Sequence, residues 1–352
     1  MVTEKGLSLK RTVPFLLAGI LIFLAYIYFF VGITEIVTII QSIDLFYYGL
    51  AVAVLFLNML VSSLVWQYFL HPLLVKVPLR KTFLFTWIGV FVDLLVPAES
   101  ISGDASKVYL MTKETNENTG KVVASVVSHR ILAMIIALGS LIFSSFMLYT
   151  IQYELPAFVL NLVLLIIVGT GVTLFFLFLF ILKETLTQRI IDAVLRFLAF
   201  VSRGRLKIDS MRTKATKALS AFHGSIAVLL KNPKNLVVPV FFSIVSWIFS
   251  ILLSYLVFVS LGHPVDFVLI TIVYSISVNI QSIPLGIPAE VGVVEIVMTS
   301  LYGLLGVETG IAAAATVLIR LLTVWLRIII GFVAVQQIDL KDLAKNLRQD
   351  LF

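Results

Sequence analysis

"LLVPAESISGD" (residues 94–104) and "LGIPAEVGVVE" (residues 285–295) decide how this chain is read. Both contain Pro-Ala-Glu, and both place a second carboxylate seven residues after the proline, at Asp104 and at Glu295. Each stretch interrupts a hydrophobic region with a helix breaker and acids. The repetition points to an internal duplication, and the apolar surroundings place the duplicated unit in a membrane.

Composition supports the membrane reading. Of 352 residues 60% are hydrophobic and 13% charged, with a mean hydropathy of +1.10. A soluble domain is nearer half apolar and a quarter charged. Segments 13–33 and 156–182 hold no ionised side chain and can cross a hydrocarbon core about 30 Å thick. Residues 13–33 are too long for a signal-peptide core and are read as a first span. Full spans are expected at 13–33, 45–68, 122–150, 156–182, 236–260 and 311–335. Two hydrophobic regions, at about 82–106 and 266–305, are broken. There is no cysteine, which excludes disulfides, thiolate metal sites and a cysteine nucleophile.

The net charge of +7 is a statement about topology. Lys and Arg gather in the N-terminus, in 71–81, in 107–121, in 183–235 and in the tail 336–352; connections 34–44, 151–155, 261–265 and 306–310 hold none. The positive-inside rule then puts both termini and every basic segment in the cytoplasm. That works only if each broken region enters and leaves on one side, as a re-entrant hairpin. Because this bias accounts for the basic charge, no nucleic-acid partner is expected.

The duplication extends beyond the opening phrase. His71-Pro72 matches His263-Pro264, and "ASVVSHRIL" (124–132) matches "AATVLIRLL" (314–322), with Arg130 on Arg320. The expected fold is an all-α polytopic membrane protein built as an inverted-topology repeat. Each half is two spans, a re-entrant broken-helix hairpin and one span. Residues 1–150 form the first repeat and 151–352 the second, with 183–235 as a cytoplasmic insertion. Three crossings per half turn the second copy upside down, the architecture of many secondary transporters. In the insertion, Met211, Ala215, Ala218, Leu219, Phe222, Ile226 and Leu229 fall at helical spacing, with Arg212, Lys214 and Lys217 off that stripe. Two readings fit: a basic amphipathic helix on an anionic cytoplasmic leaflet, or a helix pair packed on the bundle.

Asp93, Glu99, Asp104, Glu290 and Glu295 lie at membrane depth, with Arg130, Arg320 and Arg327 as basic partners. Left facing lipid, these eight charges would cost on the order of 20 kcal/mol, so they face the interior, pair, or line water. Half-helices starting after Pro97 and Pro288 would aim positive dipole ends inward. Glu99 and Glu290 are then first-turn carboxylates, and Gly103 and Gly292 permit the turns. Asp104 and Glu295 are expected about two turns further on, paired with Arg130 and Arg320. Five acids against three arginines leave a surplus of acids to meet a proton, a cation, a headgroup or Lys107. His129 has two readings, an interior hydrogen-bonded histidine or a proton-coupling group.

These residues resemble the flippase-like transmembrane domain family, which includes the membrane portion of lysylphosphatidylglycerol synthases. The matching stretches are "PAESISGDASKVYLM", "VASVVSHR", "IPAEVGVVE" and "AAATVLIRLLTVWLRIIIG". The resemblance covers nearly the whole chain and implies a duplicated fold that moves lipids between leaflets. It places Gly103, Asp104, Arg130, Gly292, Glu295 and Arg320 at the functional centre. The first motif departs from the pattern, with Ser102-Gly103-Asp104 and Lys107 where a double glycine and often an arginine are expected. The expectation is a stand-alone member lacking the aminoacyl-transfer domain, so synthesis of a modified lipid is not inherited.

The leading expectation is therefore a multi-pass lipid translocase of the cell membrane, handling charged headgroups without a cofactor. Asp104, Lys107, Arg130, Glu295 and Arg320 are its candidate site, and Pro97, Glu99, Gly103, Pro288, Glu290 and Gly292 support the hairpins. The alternatives are a solute or ion transporter on the same fold, or a membrane-embedded lipid-modifying enzyme. Four scattered histidines and no Asp-rich metal pair argue against the enzyme.

Overall fold

The computed structural model describes residue 28 and residues 33–96, 101–202, 208–281 and 286–338, and the described residues are almost entirely helical. The span expected at 13–33 lies almost wholly outside them, as do Pro97, Glu99 and the tail from 339 onward. Thirteen α-helices are used below. They are α1 Ile33–Gln41, α2 Leu45–Leu70, α3 Leu79–Leu95, α4 Ile101–Thr115, α5 Thr119–Thr150, α6 Ala157–Leu182 and α7 Glu184–Ser202. Then come α8 Ile208–Lys231, α9 Lys234–Ser260, α10 Phe267–Gln281, α11 Val293–Leu304, α12 Thr309–Arg320 and α13 Arg327–Gln336. A π-helical turn, Leu321–Leu326, joins α12 to α13 into one element, Thr309–Gln336.

Local chemistry sets the boundaries. Asp44 caps α2, its carboxylate accepting from the Phe46 amide at 2.8 Å, and Asn118 caps α5 in the same way from the Gly120 amide. Such caps satisfy amides that the helix itself leaves open. Pro78, Pro156 and Pro233 stand at the thresholds of α3, α6 and α9, where a missing amide costs nothing. Among the described residues five elements are long and apolar enough to span: Leu45–Leu73, Thr119–Thr150, Ala157–Leu182, Lys234–Ser260 and Thr309–Gln336.

Two boundaries differ from the sequence reading. Helix α4 runs to Thr115, so 107–121 is largely helix and not a basic loop. Hydropathy drops at Lys107, yet its ammonium turns inward to Asp104 within the helix; the chain reverses only at Asn116, with φ +54°. Residues 34–44, read as a connection, are helical as far as Gln41.

Helices α2 and α9 form the centre and run antiparallel. The Asp44 amide donates to Ser260 O at 2.7 Å. Midway, Asn58 Nδ2 donates to Ser246 O at 2.6 Å and to Ser250 Oγ at 2.9 Å. At the far end Tyr68 stacks on Phe242 with ring centres 5.6 Å apart. Polar side chains of this kind hold helices together where lipid supplies no hydrophobic drive.

The broken regions are two helix pairs, α3–α4 and α10–α11. At about 1.5 Å per residue the 15 residues of α10 and 12 of α11 reach roughly 22 and 18 Å, short of a bilayer core. Their packing is reciprocal. Helix α13 lies on α3, Gly331 letting the Phe91 ring close over it, with Phe332 6.5 Å from that ring. Helix α5 lies on α10, where Ser140 Oγ meets Ser275 Oγ at 2.9 Å. Within the first pair Gly103 touches Gly89 O and the Asp93 carboxylate, a contact that no larger residue permits.

The 183–235 insertion is a helical hairpin, α7–α8, docked on the start of α5. Ile226 and Leu229 are buried in the core shared with α5, Leu219 is buried on the same helix, and Gly120 passes against the α8 backbone at Ala218. The apolar stripe of α8 therefore faces the bundle. Met211 and Lys214, on the same helix, have side chains outside the described set.

Candidate functional site

An acid in the first turn after each break is joined to an arginine of the following long helix. In the second unit Pro288–Glu290 form a single 3₁₀ turn, with Ala289 and Glu290 at φ +50° and +47°. Side chains seldom adopt that region. Gly292, at φ +92°, completes the reversal before α11 begins. Glu295 Oε2 accepts from the Gly292 amide at 2.6 Å and Oε1 from Arg320 Nε at 2.6 Å. Arg320 Nη2 also donates to Ala289 O at 2.5 Å. Glu295 and Arg320 are only 3% and 4% exposed, so each supplies the counter-charge the other needs.

This corrects two expectations. Glu295 lies in the first turn of α11, not two turns beyond it, because the left-handed turn delays the helix start to Val293. The carboxylate at that N-terminus is therefore Glu295, and Glu290 belongs to the turn before it.

In the first unit the N-terminus of α4 is served from across the hairpin. Asp93 Oδ1, near the end of α3, accepts from the Gly103 amide at 2.6 Å and from Ser102 Oγ at 3.0 Å, where the helix dipole favours an anion. Asp104, also in the first turn, accepts from Lys107 Nζ at 2.8 Å and from Arg130 Nη1 at 3.2 Å. These side chains retain 21%, 13% and 31% exposure. The cluster is open where its counterpart is sealed.

What it opens onto is a cavity of about 1800 Å³ enclosed by α4, α5, α6 and α10. Asp93, Asp104, Lys107, His129, Arg130 and Arg327 line it, and α6 contributes an apolar wall including Leu162, Ile166 and Leu177. Lys113, Asn116, Glu117 and Thr119 mark a polar edge at the α4–α5 turn. Ile101 and Leu165 line it too and are 63% and 69% exposed, so apolar side chains form another edge. Thr170 of α6 donates to Asn279 Oδ1 of α10 at 2.8 Å within this lining.

Of the residues singled out from sequence, the fold gathers Asp104, Lys107, His129 and Arg130 at the cavity. Glu295 and Arg320 form a separate buried knot with Gly292, Ala289 and the Pro288 turn. Gly103 is the packing point of the first hairpin. Glu99, one of the five acids counted at membrane depth, lies outside the described residues. Among its described lining residues Asp93, Asp104 and Glu117 stand against Lys107, Lys113, Arg130 and Arg327. Sequence reading counted Asp93 and Arg327 among the buried charges without assigning either to the site; their depth in apolar sequence was the available signal.

Apolar elements of spanning length, charges held inside and half-length helix pairs define a polytopic helical membrane protein. The chain belongs to the lysylphosphatidylglycerol synthase TM region family, whose model matches residues 16–331. It is 27% identical over 312 residues to a UPF0104 membrane protein of Pyrococcus horikoshii, covering 86% of this chain and 90% of that one. A UPF0104 membrane protein of Methanothermobacter thermautotrophicus is 25% identical over 325 residues, covering 89% and 91%. One from Methanocaldococcus jannaschii is 26% identical over 322 residues, again covering 89% and 91%. These relatives are stand-alone membrane proteins of similar extent. No solved structure matches the chain.

Proposed function

We propose that this protein is a lipid translocase. A charged headgroup enters the cavity beside Asp104, Lys107 and Arg130 while its acyl chains remain against α6 and the bilayer. The single observation that carries this reading is the pairing, in one cavity, of a charged cluster with an apolar wall and exposed apolar edge residues. A water-soluble ion has no use for such an edge; a lipid needs both.

The mechanism rests on an inverted repeat of 1–150 and 151–352. Its support is that α2 and α9, the second spans of the two units, are antiparallel. The reciprocal docking of α13 on α3 and of α5 on α10 adds to it. On this reading the first unit's acid–arginine site is accessible while the second unit's is closed, and rocking of one unit on the other exchanges the two states. The positive-inside rule puts the Lys113–Thr119 edge and both termini in the cytoplasm. Contact with an anionic leaflet falls to α7, where Ile190 and Val194 are exposed beside Arg189 and Arg196. The test is leaflet exchange of headgroup-labelled lipids in vesicles holding the purified protein. Exchange no faster than in protein-free vesicles sinks the proposal.

A further inference from the structure

Arg327 lines the cavity with no carboxylate in ion-pair contact among the described residues. Asp104 is committed to Lys107 and Arg130, Asp93 to the start of α4, and Glu295 to Arg320. Arg327 Nε is buried and has no hydrogen-bond partner among the described residues, and the residue lines the cavity. Thr112 Oγ1, in the cavity lining contributed by α4, is buried and unpartnered in the same way.

The backbone is built to turn Arg327 there. Residues seven apart on an unbroken α-helix share a face to within about 20°, which would set Arg327 below Arg320 and facing the same way. The π-helical turn Leu321–Leu326 lies between them and shifts the register. Arg320 consequently reaches Glu295, and Arg327 reaches the cavity. Single π turns inside α-helices recur at functional positions.

An arginine with no carboxylate partner in a sheltered site is stabilised when an anion joins it. Its planar fork of donors suits phosphate oxygens, which accept two parallel hydrogen bonds. We infer that Arg327 is the phosphate-recognition residue of the cavity, reading the phosphodiester of a membrane phospholipid. This rests on the translocase reading and narrows its substrate to lipids that carry phosphate. Free phosphate offers the same chemistry, so the test separates the two sources.

The protein in detergent is titrated with short-chain phosphatidylglycerol, inorganic phosphate and monoacylglycerol, following thermal stabilisation and binding. Wild type is compared with Arg327→Gln and Arg327→Lys. The inference predicts that the phospholipid binds wild type, that monoacylglycerol does not compete, and that Arg327→Gln weakens binding at least tenfold, with partial retention in Arg327→Lys. It also predicts that ligand-free Arg327→Gln melts no lower than wild type, because a half-buried charge with no carboxylate partner among the described residues has been removed; a structural arginine predicts the reverse. Inorganic phosphate binding with the same Arg327 dependence, in place of the phospholipid, supports the phosphate site but overturns lipid as its source. Undiminished phospholipid binding by folded Arg327→Gln overturns the inference and leaves the translocase standing. No binding of either phosphate compound to wild type overturns it as well, and leaflet exchange then judges the translocase separately.

Discussion

Arg320 and Glu295 are joined by a 2.6 Å hydrogen bond between buried groups, and a second donor of Arg320 holds the left-handed Ala289 by its carbonyl. One side chain thus ties α12 to the break and to the first turn of α11. Removing either partner strands the other in an apolar interior. Arg320→Ala is expected to destabilise the protein by about 3–5 kcal/mol, measured by unfolding in detergent. Replacing both residues with apolar ones of similar volume restores most of that loss, because the desolvation penalty vanishes with the charges.

The Asp104 cluster behaves differently because its side chains keep partial exposure. Asp104→Asn or Arg130→Gln is expected to change stability by no more than about 1 kcal/mol. Leaflet exchange falls at least tenfold in the same variants. Unfolding curves and exchange rates, collected on the same preparations, separate the two effects. A large loss of stability with normal exchange would make this cluster the structural one.

Glycines divide by what surrounds them. A Cβ on Gly103 would run into Gly89 O and stand 2.5 Å from the Asp93 carboxyl carbon. Gly103→Ala therefore costs about 1–3 kcal/mol by overpacking. Gly139 in α5 has nothing within 4 Å of the same position, and Gly139→Ala gains up to about 1 kcal/mol of helix propensity. Melting temperatures of the two variants should move in opposite directions.

The proposed movement of one repeat on the other is open to direct arrest. Ser140 Oγ and Ser275 Oγ lie 2.9 Å apart across α5 and α10, which makes the pair a site for an engineered cross-link, and the chain has no cysteine of its own. The double variant Ser140→Cys, Ser275→Cys is expected to lose exchange on oxidation and regain it with reductant. Unchanged exchange in the oxidised, verified cross-link would mean that α5 and α10 do not separate during transport.

Much of this molecule was legible in its sequence, for physical reasons. Uninterrupted apolar length identified five of the six expected spans, the sixth, 13–33, lying almost wholly outside the described residues, and the repeated phrase paired Asp104 with Arg130 and Glu295 with Arg320. Details that depend on three-dimensional packing were not legible. Nothing local announces that Asp93 reaches the Gly103 amide, since that follows from the close packing of α3 on α4. The late start of α11 depends on left-handed Ala289 and Glu290, residue types that do not advertise that conformation. Amphipathicity showed that α8 has an apolar face but not that α5 and the bundle would cover it. The π turn before Arg327 has no composition of its own, so the difference in direction between Arg320 and Arg327 appears only in the fold.

The central claim is that the cavity beside Asp104 carries lipid headgroups between leaflets. Its most direct test is the exchange rate of fluorescently headgroup-labelled phosphatidylglycerol in unilamellar vesicles holding the purified chain, with Asp104→Asn as the folded control. The account predicts exchange well above that of protein-free vesicles in wild type and at least a tenfold loss in the variant. Equal rates in wild type, variant and protein-free vesicles, with and without a pH gradient, would contradict it.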